Sequence, residues 1–267
     1  MVSYKNMEQE LEILLKTKAR KYVEDRFPHA SVAEKNKIIN DWGMKVKNAR
    51  LLVDDFRLRV RNPAGLRVLD AGSGMSGNAI AFAEAGAVVD GVDIEKELID
   101  IAGEISSSWG KFPIFTLYDG NKLPFAENTF DVAFSVSVLE HVTDPVNFLK
   151  EINRVLKPGA IFYLAFPNRL WPKETHTGLW CVTYLPIFIA RAVVRFFNKN
   201  PLEENNLHFY TYMDLCKMLK LSGGWILCPE KGKSNNFFKK IVRRILSFTP
   251  LPYKAFLPHI SVLLKKQ

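Results

Sequence analysis

Val68-Leu69-Asp70-Ala71-Gly72-Ser73-Gly74-Met75-Ser76-Gly77 is the stretch from which the rest of the chain is read. Leu66 to Ala71 is a short apolar run with one carboxylate near its end, the pattern of a buried strand. Gly72, Gly74 and Gly77 follow at G-x-G-x-x-G spacing, and Asn78-Ala79-Ile80-Ala81-Phe82-Ala83 reads as a helix. A glycine turn between strand and helix lets backbone N–H groups approach a ligand with no side chain between them. A dinucleotide site satisfies the same spacing. Asp70 separates the two readings. Beside a pyrophosphate a carboxylate is repelled, whereas a cationic ligand welcomes it.

Outward from this stretch the chain alternates strand and helix. Ala87–Asp93, Pro113–Tyr118, Phe130–Val136 and Ala160–Phe166 read as strands, and Glu95–Ser108 and Pro145–Leu156 as helices, the last stopped by Lys157-Pro158-Gly159. That rhythm predicts a parallel, doubly wound sheet, with ligands at the carboxyl ends of its strands. Gly224–Pro229 reads as a sixth strand and His259–Lys265 as a last one, with Thr211–Leu221 a helix before them. Residues 4–26 and Val32 to about Val60 read as two N-terminal helices. Ser31 and Glu34 form a capping box at the start of the second. These helices either pack on the domain or close over a ligand. The expected organisation is a helical extension over 1–60 and the α/β domain over 61–267, with an insertion at about 167–206 and a basic segment at about 231–257.

Composition bounds the function further. The three cysteines, Cys181, Cys216 and Cys228, are widely spaced and contain no C-x-x-C, so neither a zinc site nor a disulfide framework is expected, and no metal is assigned. The N-terminus is charged from Lys5 onward and lacks the apolar core of a signal peptide, which gives a reducing, cytosolic expectation. Residues 231–267 hold nine Lys and Arg and no Asp or Glu, accounting for the whole net charge of +9; the first 230 residues balance at 28 of each sign.

The run Asp70-Ala71-Gly72-Ser73-Gly74-Met75-Ser76-Gly77 resembles the first motif of the class I S-adenosylmethionine-dependent methyltransferases, in particular those of the type 11 kind. The likeness extends over about residues 66–167. It implies a Rossmann-like, mostly parallel seven-stranded sheet with an antiparallel last strand. The implied cofactor is S-adenosylmethionine, leaving as S-adenosylhomocysteine. Asp70 and the three glycines would then face the sulfonium and ammonium end. Asp93, closing the second strand, would accept from both ribose hydroxyls. Asp119 would accept from the adenine amino group, with the Gly120 N–H beside a ring nitrogen. Ser135 would bond the methionine ammonium. Asp131 is read as structural, tying strand starts together.

The acceptor side is read more openly. His141, in Leu139-Glu140-His141-Val142, faces the reaction centre or is a hydrogen-bonded core histidine. Glu174 and His176 fall on the same side of an extended Glu-Thr-His, and form either a base with its orienting carboxylate or a polar loop pair. A hydroxyl acceptor needs such a base, since even a phenol has a pKa near 10. Arg169, Trp171 and Trp180 are candidate pocket residues. No Asn/Asp-Pro-Pro-Tyr/Phe tetrapeptide follows the fourth strand, which disfavours methylation of exocyclic adenine nitrogens. The apolar run from Cys181 to Phe197 is interrupted by Pro186 and Arg191 and is too short to span a bilayer. With the basic amphipathic stretch Phe237–Phe248 it fits either an anionic membrane surface or internal packing. The expected function is O-methylation of a small or lipid-linked acceptor, a glycolipid or quinone precursor, in the cytoplasm or at its membrane surface. Pro167-Asn168 to His176 loosely resembles methyltransferases of surface-glycan and lipid pathways. The alternatives are an RNA methyltransferase using its basic tail, an NAD-binding protein, and a non-catalytic scaffold.

Overall fold

The computed structural model describes residues 4–28, 30–110, 113–174, 177–197, 207–228 and 253–267. Its strands are β1 (Arg67–Ala71), β2 (Val88–Asp93), β3 (Ile114–Leu117), β4 (Phe130–Val136), β5 (Leu156–Pro167), β6 (Trp225–Leu227) and β7 (His259–Lys266). They hydrogen-bond as one seven-stranded sheet in the order β3-β2-β1-β4-β5-β7-β6. β1 runs parallel to β2 and β4, and β2 parallel to β3, while β7 runs antiparallel to both β5 and β6. The expected Rossmann-like sheet with an antiparallel last strand is therefore present. Its order reverses at β1, between β2 and β4, where such sheets place their ligands.

The chain divides into two compact units, Met1–Ser135 with Arg154–Ala160, and Val136–Asn153 with Ile161–Gln267. In the first, α1 (Tyr4–Arg26), α2 (Val32–Gly43) and α3 (Lys45–Arg59) precede the sheet, and α4 (Gly77–Glu84) and α5 (Lys96–Trp109) follow β1 and β2. The Ser31–Glu34 capping box opens α2. The single helix expected from Val32 to about Val60 is instead broken at Met44. The apolar stripe has two different partners, which one straight helix cannot face. Ile39 and Val46 join Leu11, Leu15, Ala19 and Val23 of α1 in one buried cluster, whereas Phe56 of α3 meets Phe82 of α4 edge-on at 5.6 Å. Burial of each such side chain stabilises by about 1.5–3 kcal/mol.

A second departure lies before β5. Lys157-Pro158-Gly159, expected as a free turn, is taken into the strand, with Gly159 at φ 77°. Lys157 Nζ lies 2.8 Å from Asp131, whose other oxygen accepts the Arg67 N–H at 2.9 Å. Asp131 so ties the start of β1 to the start of β5. Burial raises its pKa, but these bonds outweigh that and hold it below the usual carboxylate value.

In the second unit, residues Ile161 to Pro167 of β5 pair with Lys265 back to His259 of β7. α6 (Pro145–Val155) reaches this unit through Asn153, whose side-chain amide donates to the Gly224 carbonyl at 3.0 Å. α7 (Ile187–Phe196) follows a short 3-10 turn at Val182–Tyr184, and Val182, Ala190 and Val194 form its small buried cluster. α8 (Tyr212–Ser222) opens with a Thr211–Asp214 capping box. The basic stretch expected as a helix at Phe237–Phe248 lies outside the described residues.

Candidate functional site

The first unit builds a ligand cradle from the glycine loop and the ends of β1–β4. Beyond β1, the Gly72 and Ser73 N–H groups both donate to the Val92 carbonyl at 2.9 Å, fixing the loop to β2. Gly72 and Gly74 sit at φ 87° and 49°, where a side chain is strained. Ser76 holds the same left-handed region without being glycine, and Ile80 begins the helix by donating to its carbonyl. The loop keeps this shape because Met75 is buried in the cluster of α1 and α2. Gly77 serves a different need. A Cβ there would stand 2.6 Å from Cβ of Lys45, so its bareness lets α4 close on α3.

Asp93 joins β2 to that loop. Its carboxylate accepts the Gly74 N–H at 2.9 Å and the Glu95 N–H at 3.1 Å. A carboxylate has about four acceptor sites, so room remains for two hydroxyl donors. Asp119 is exposed beyond β3. Oδ1 accepts the Lys122 and Asn121 N–H groups, and these bonds lower its pKa and keep it ionised. Between the two acids, burial with Asp93 and Asp119 pushes the Tyr118 hydroxyl up to about 12.

One residue of this cradle escaped the sequence reading. Ile94 is 62% exposed, directly after Asp93, and its Cγ2 lies 3.4 Å from where a Cβ on Gly120 would stand. It presents an exposed apolar side chain beside Gly120. The signal was an apolar residue immediately after an acid at a strand end.

The cradle also holds buried polar atoms that are poorly satisfied. Asp70 is fully buried and has no side-chain hydrogen-bond partner, only the Ala79 N–H beside it; the Ser73, Ser76 and Ser135 hydroxyls have no partner. Such groups are costly unless something satisfies them. Burial raises the Asp70 pKa well above the usual carboxylate value. Lys45 and the Ala79 N–H oppose this, and Asp93 adds to it. A ligand bringing positive charge and donors to Asp70 relieves that strain, and the sulfonium and ammonium of S-adenosylmethionine fit this demand.

The N-terminal helices are fastened to the cradle. The Tyr22 hydroxyl donates to both oxygens of Glu95 at 3.0 Å, and its ring stacks on Trp42 at 5.3 Å. Arg50 of α3 pairs with Glu8 of α1 and with Glu84 of α4.

The acceptor-side candidates lie in the second unit. His141 is half-buried on a 3-10 turn, Leu139–His141, after β4. The preceding residue, Glu140, is buried, and its carbonyl accepts the His208 N–H at 2.7 Å. His208 stacks on Tyr210 at 5.9 Å, and Tyr210 meets Phe166 edge-on. The sequence reading missed His208 and Tyr210, because only the tertiary fold brings them to this turn. Glu174 is buried and turned onto its own loop, accepting the Thr177 N–H and, at 2.7 Å, the Thr177 hydroxyl. His176 lies outside the described residues, so its pairing with Glu174 is not seen. The Arg169 guanidinium donates to the Thr183 carbonyl at 3.1 Å. Trp180 is exposed, with Lys173 Nζ 6.0 Å from its ring. Among the described residues no His/Cys/Asp/Glu cluster could hold a metal.

The sheet is Rossmann-like, and the candidate cradle lies where its strand order reverses. Residues 69–164 match the methyltransferase domain family model. The chain is 35% identical over 138 residues to an uncharacterized methyltransferase of Mycobacterium leprae (strain Br4923), covering 52% of this chain and 49% of that one. It thus spans about half the length of such relatives. Its fold resembles an S-adenosylmethionine-dependent methyltransferase of Mesorhizobium loti, with TM-score 0.57 and 17% identity over 83% of this chain and all of that one. It also resembles the magnesium protoporphyrin IX methyltransferase of Synechocystis, solved with S-adenosylhomocysteine, at TM-score 0.54 and 17% identity over 86% and 87% of the two chains.

Proposed function

We propose that this protein transfers the methyl group of S-adenosylmethionine to a hydroxyl oxygen of a small or lipid-linked acceptor, a glycolipid or quinone precursor. The observation that carries the reading is Asp70, a fully buried carboxylate without a side-chain hydrogen-bond partner at the mouth of a glycine loop. The cofactor supplies a methyl group already activated as a sulfonium. The chain's own task is to hold both reactants in line and keep water away. Asp70, Gly72, Gly74 and Ser135 would hold the methionine end, Asp93 the ribose, and Asp119, Gly120 and Ile94 the adenine. His141, or His176 with Glu174, would take the acceptor's proton. The place of action would be the cytoplasmic face of a membrane, where an apolar acceptor and the basic C-terminal residues can meet.

The test is transfer from methyl-labelled S-adenosylmethionine into lipid extract, aqueous extract and RNA, using the native chain and the His141→Ala and His176→Ala variants. Expected is label in the lipid phase. One histidine variant should keep cofactor binding but lose turnover by about a hundredfold or more. Label confined to RNA would overturn the acceptor class. Cofactor binding with no transfer to any fraction would make the chain a scaffold.

A further inference from the structure

α7 is built inside out for a water-facing helix. Residues four apart share a helix face, and rows two residues out of step lie on roughly opposite sides. One row, Ala190 and Val194, is buried in the small cluster with Val182. The opposite row, Phe188, Ala192 and Phe196, is exposed, with Phe188 at 70% and Phe196 at 81%. Ile189 and Phe197 flank that row and are exposed too. The small residues thus face the core, and the large aromatic ones face outward. A surface helix ordinarily does the reverse, and an exposed apolar ridge of this kind marks a surface that something covers.

The chemistry around the ridge says what covers it. Residues 175–202 contain Arg191, Arg195 and Lys199 and no acidic residue. Arg195 is exposed beside the Phe188–Phe196 row. Trp180, just before the helix, is 68% exposed, and exposed Tyr184 donates its hydroxyl to the Leu170 carbonyl at 2.8 Å. Tryptophan and tyrosine with one wet and one apolar end suit the headgroup boundary of a bilayer. The last 37 residues carry the molecule's whole net charge of +9. A protein partner would need an apolar groove with an acidic rim, and a nucleic acid, though its bases could stack on the phenylalanines, would leave the aliphatic side chains without a use. An anionic bilayer answers both features, taking up the rings and attracting the cations.

We infer that α7 is an interfacial helix that seats the protein on an anionic lipid surface, with Phe188, Ala192 and Phe196 entering the acyl boundary and Arg195 at the headgroups. The inference rests on the lipid-linked reading of the acceptor and gives it a location. The helix stays in the surface plane: among the described residues no helix is long and apolar enough to cross a membrane.

The test is sedimentation of the full chain with vesicles of phosphatidylcholine, with and without phosphatidylserine. It compares the native chain, a Phe188→Ala/Phe196→Ala double variant and Ala192→Trp. Expected is binding to the phosphatidylserine vesicles that salt weakens. The double variant should bind more weakly by about tenfold per ring, and Ala192→Trp several-fold more tightly. No binding by the native chain would overturn the inference. So would equal binding by the native chain and both variants, which would leave the basic tail as the sole contact, or a native dimer that the double variant converts to monomer. Melting with S-adenosylhomocysteine on the same samples keeps the failures apart. A ligand shift without vesicle binding defeats the docking inference alone, and vesicle binding without the shift defeats the methyltransferase reading.

Discussion

Asp70, if it holds the cofactor as proposed, should couple ligand binding to pH. In the unfolded chain it loses its proton near the usual value, about 3.9. In the folded chain, burial keeps the proton on to higher pH. The resulting stability is complete below the unfolded value and is lost as pH rises through the folded one. The ligand-free native chain should therefore lose melting temperature over that range relative to Asp70→Asn, which has the same shape and no charge. Affinity for S-adenosylmethionine should rise over the same range in the native chain and stay low and flat in the variant. Calorimetry across a pH series checks both, and parallel curves would remove Asp70 from the site. Ile94→Ala should weaken S-adenosylhomocysteine binding by about tenfold while leaving the melting point of the free chain unchanged, since its side chain is mostly exposed. At this scale the acids stood out because each lies at or near the end of a strand of the alternating run. Ile94, His208 and Tyr210 were not, because their neighbours are brought to them only by folding.

The helices preceding the sheet are held to the cradle by a close approach at Gly77 and a polar tether at Glu95. Gly77→Ala sets a methyl group 2.6 Å from Cβ of Lys45 and 3.2 Å from its carbonyl carbon. Backbone cannot yield as a flexible side-chain end can, so the expected cost is about 1–3 kcal/mol, read from the melting point. Tyr22→Phe removes the hydroxyl that bridges α1 to Glu95, and about 1 kcal/mol of stability should go with it. A Gly77→Ala variant as stable as the native chain would show that α3 does not constrain α4. β1–β4 were readable from local apolar runs, with an acid ending β2 and acids near the ends of β1 and β3. The break at Met44 was not, because the stripe from Ile38 to Phe56 keeps helical spacing while its partner changes from α1 to α4. Nor was the early start of β5, which depends on Lys157 reaching Asp131 across the sheet. Gly159 looked like a stop signal, yet its positive φ is accommodated within the strand.

For the molecule as a whole, charge and fold are arranged separately. The first 230 residues are neutral overall and include the cradle; the last 37 carry the net charge. Raising salt should therefore weaken vesicle binding while leaving affinity for S-adenosylhomocysteine nearly unchanged, because the cradle's acids act at hydrogen-bond range. The parallel, doubly wound character of the sheet was legible in the strand–helix rhythm, since parallel strands need crossovers of that length, whereas the antiparallel last strand followed only from the resemblance. The acceptor was not legible: the candidate residues Glu174 and His176 lie in an irregular loop of the insertion, and His176 lies outside the described residues. The most direct measurement is melting of the native chain and Asp93→Ala with saturating S-adenosylhomocysteine or NADH. At about 100 times the dissociation constant a ligand adds roughly 2.7 kcal/mol, or about 5–10 °C for a chain of this size. Stabilisation by S-adenosylhomocysteine alone, absent from Asp93→Ala, is the expected result. Stabilisation by NADH instead, or an S-adenosylhomocysteine shift that survives in Asp93→Ala, would contradict the assignment of the cradle.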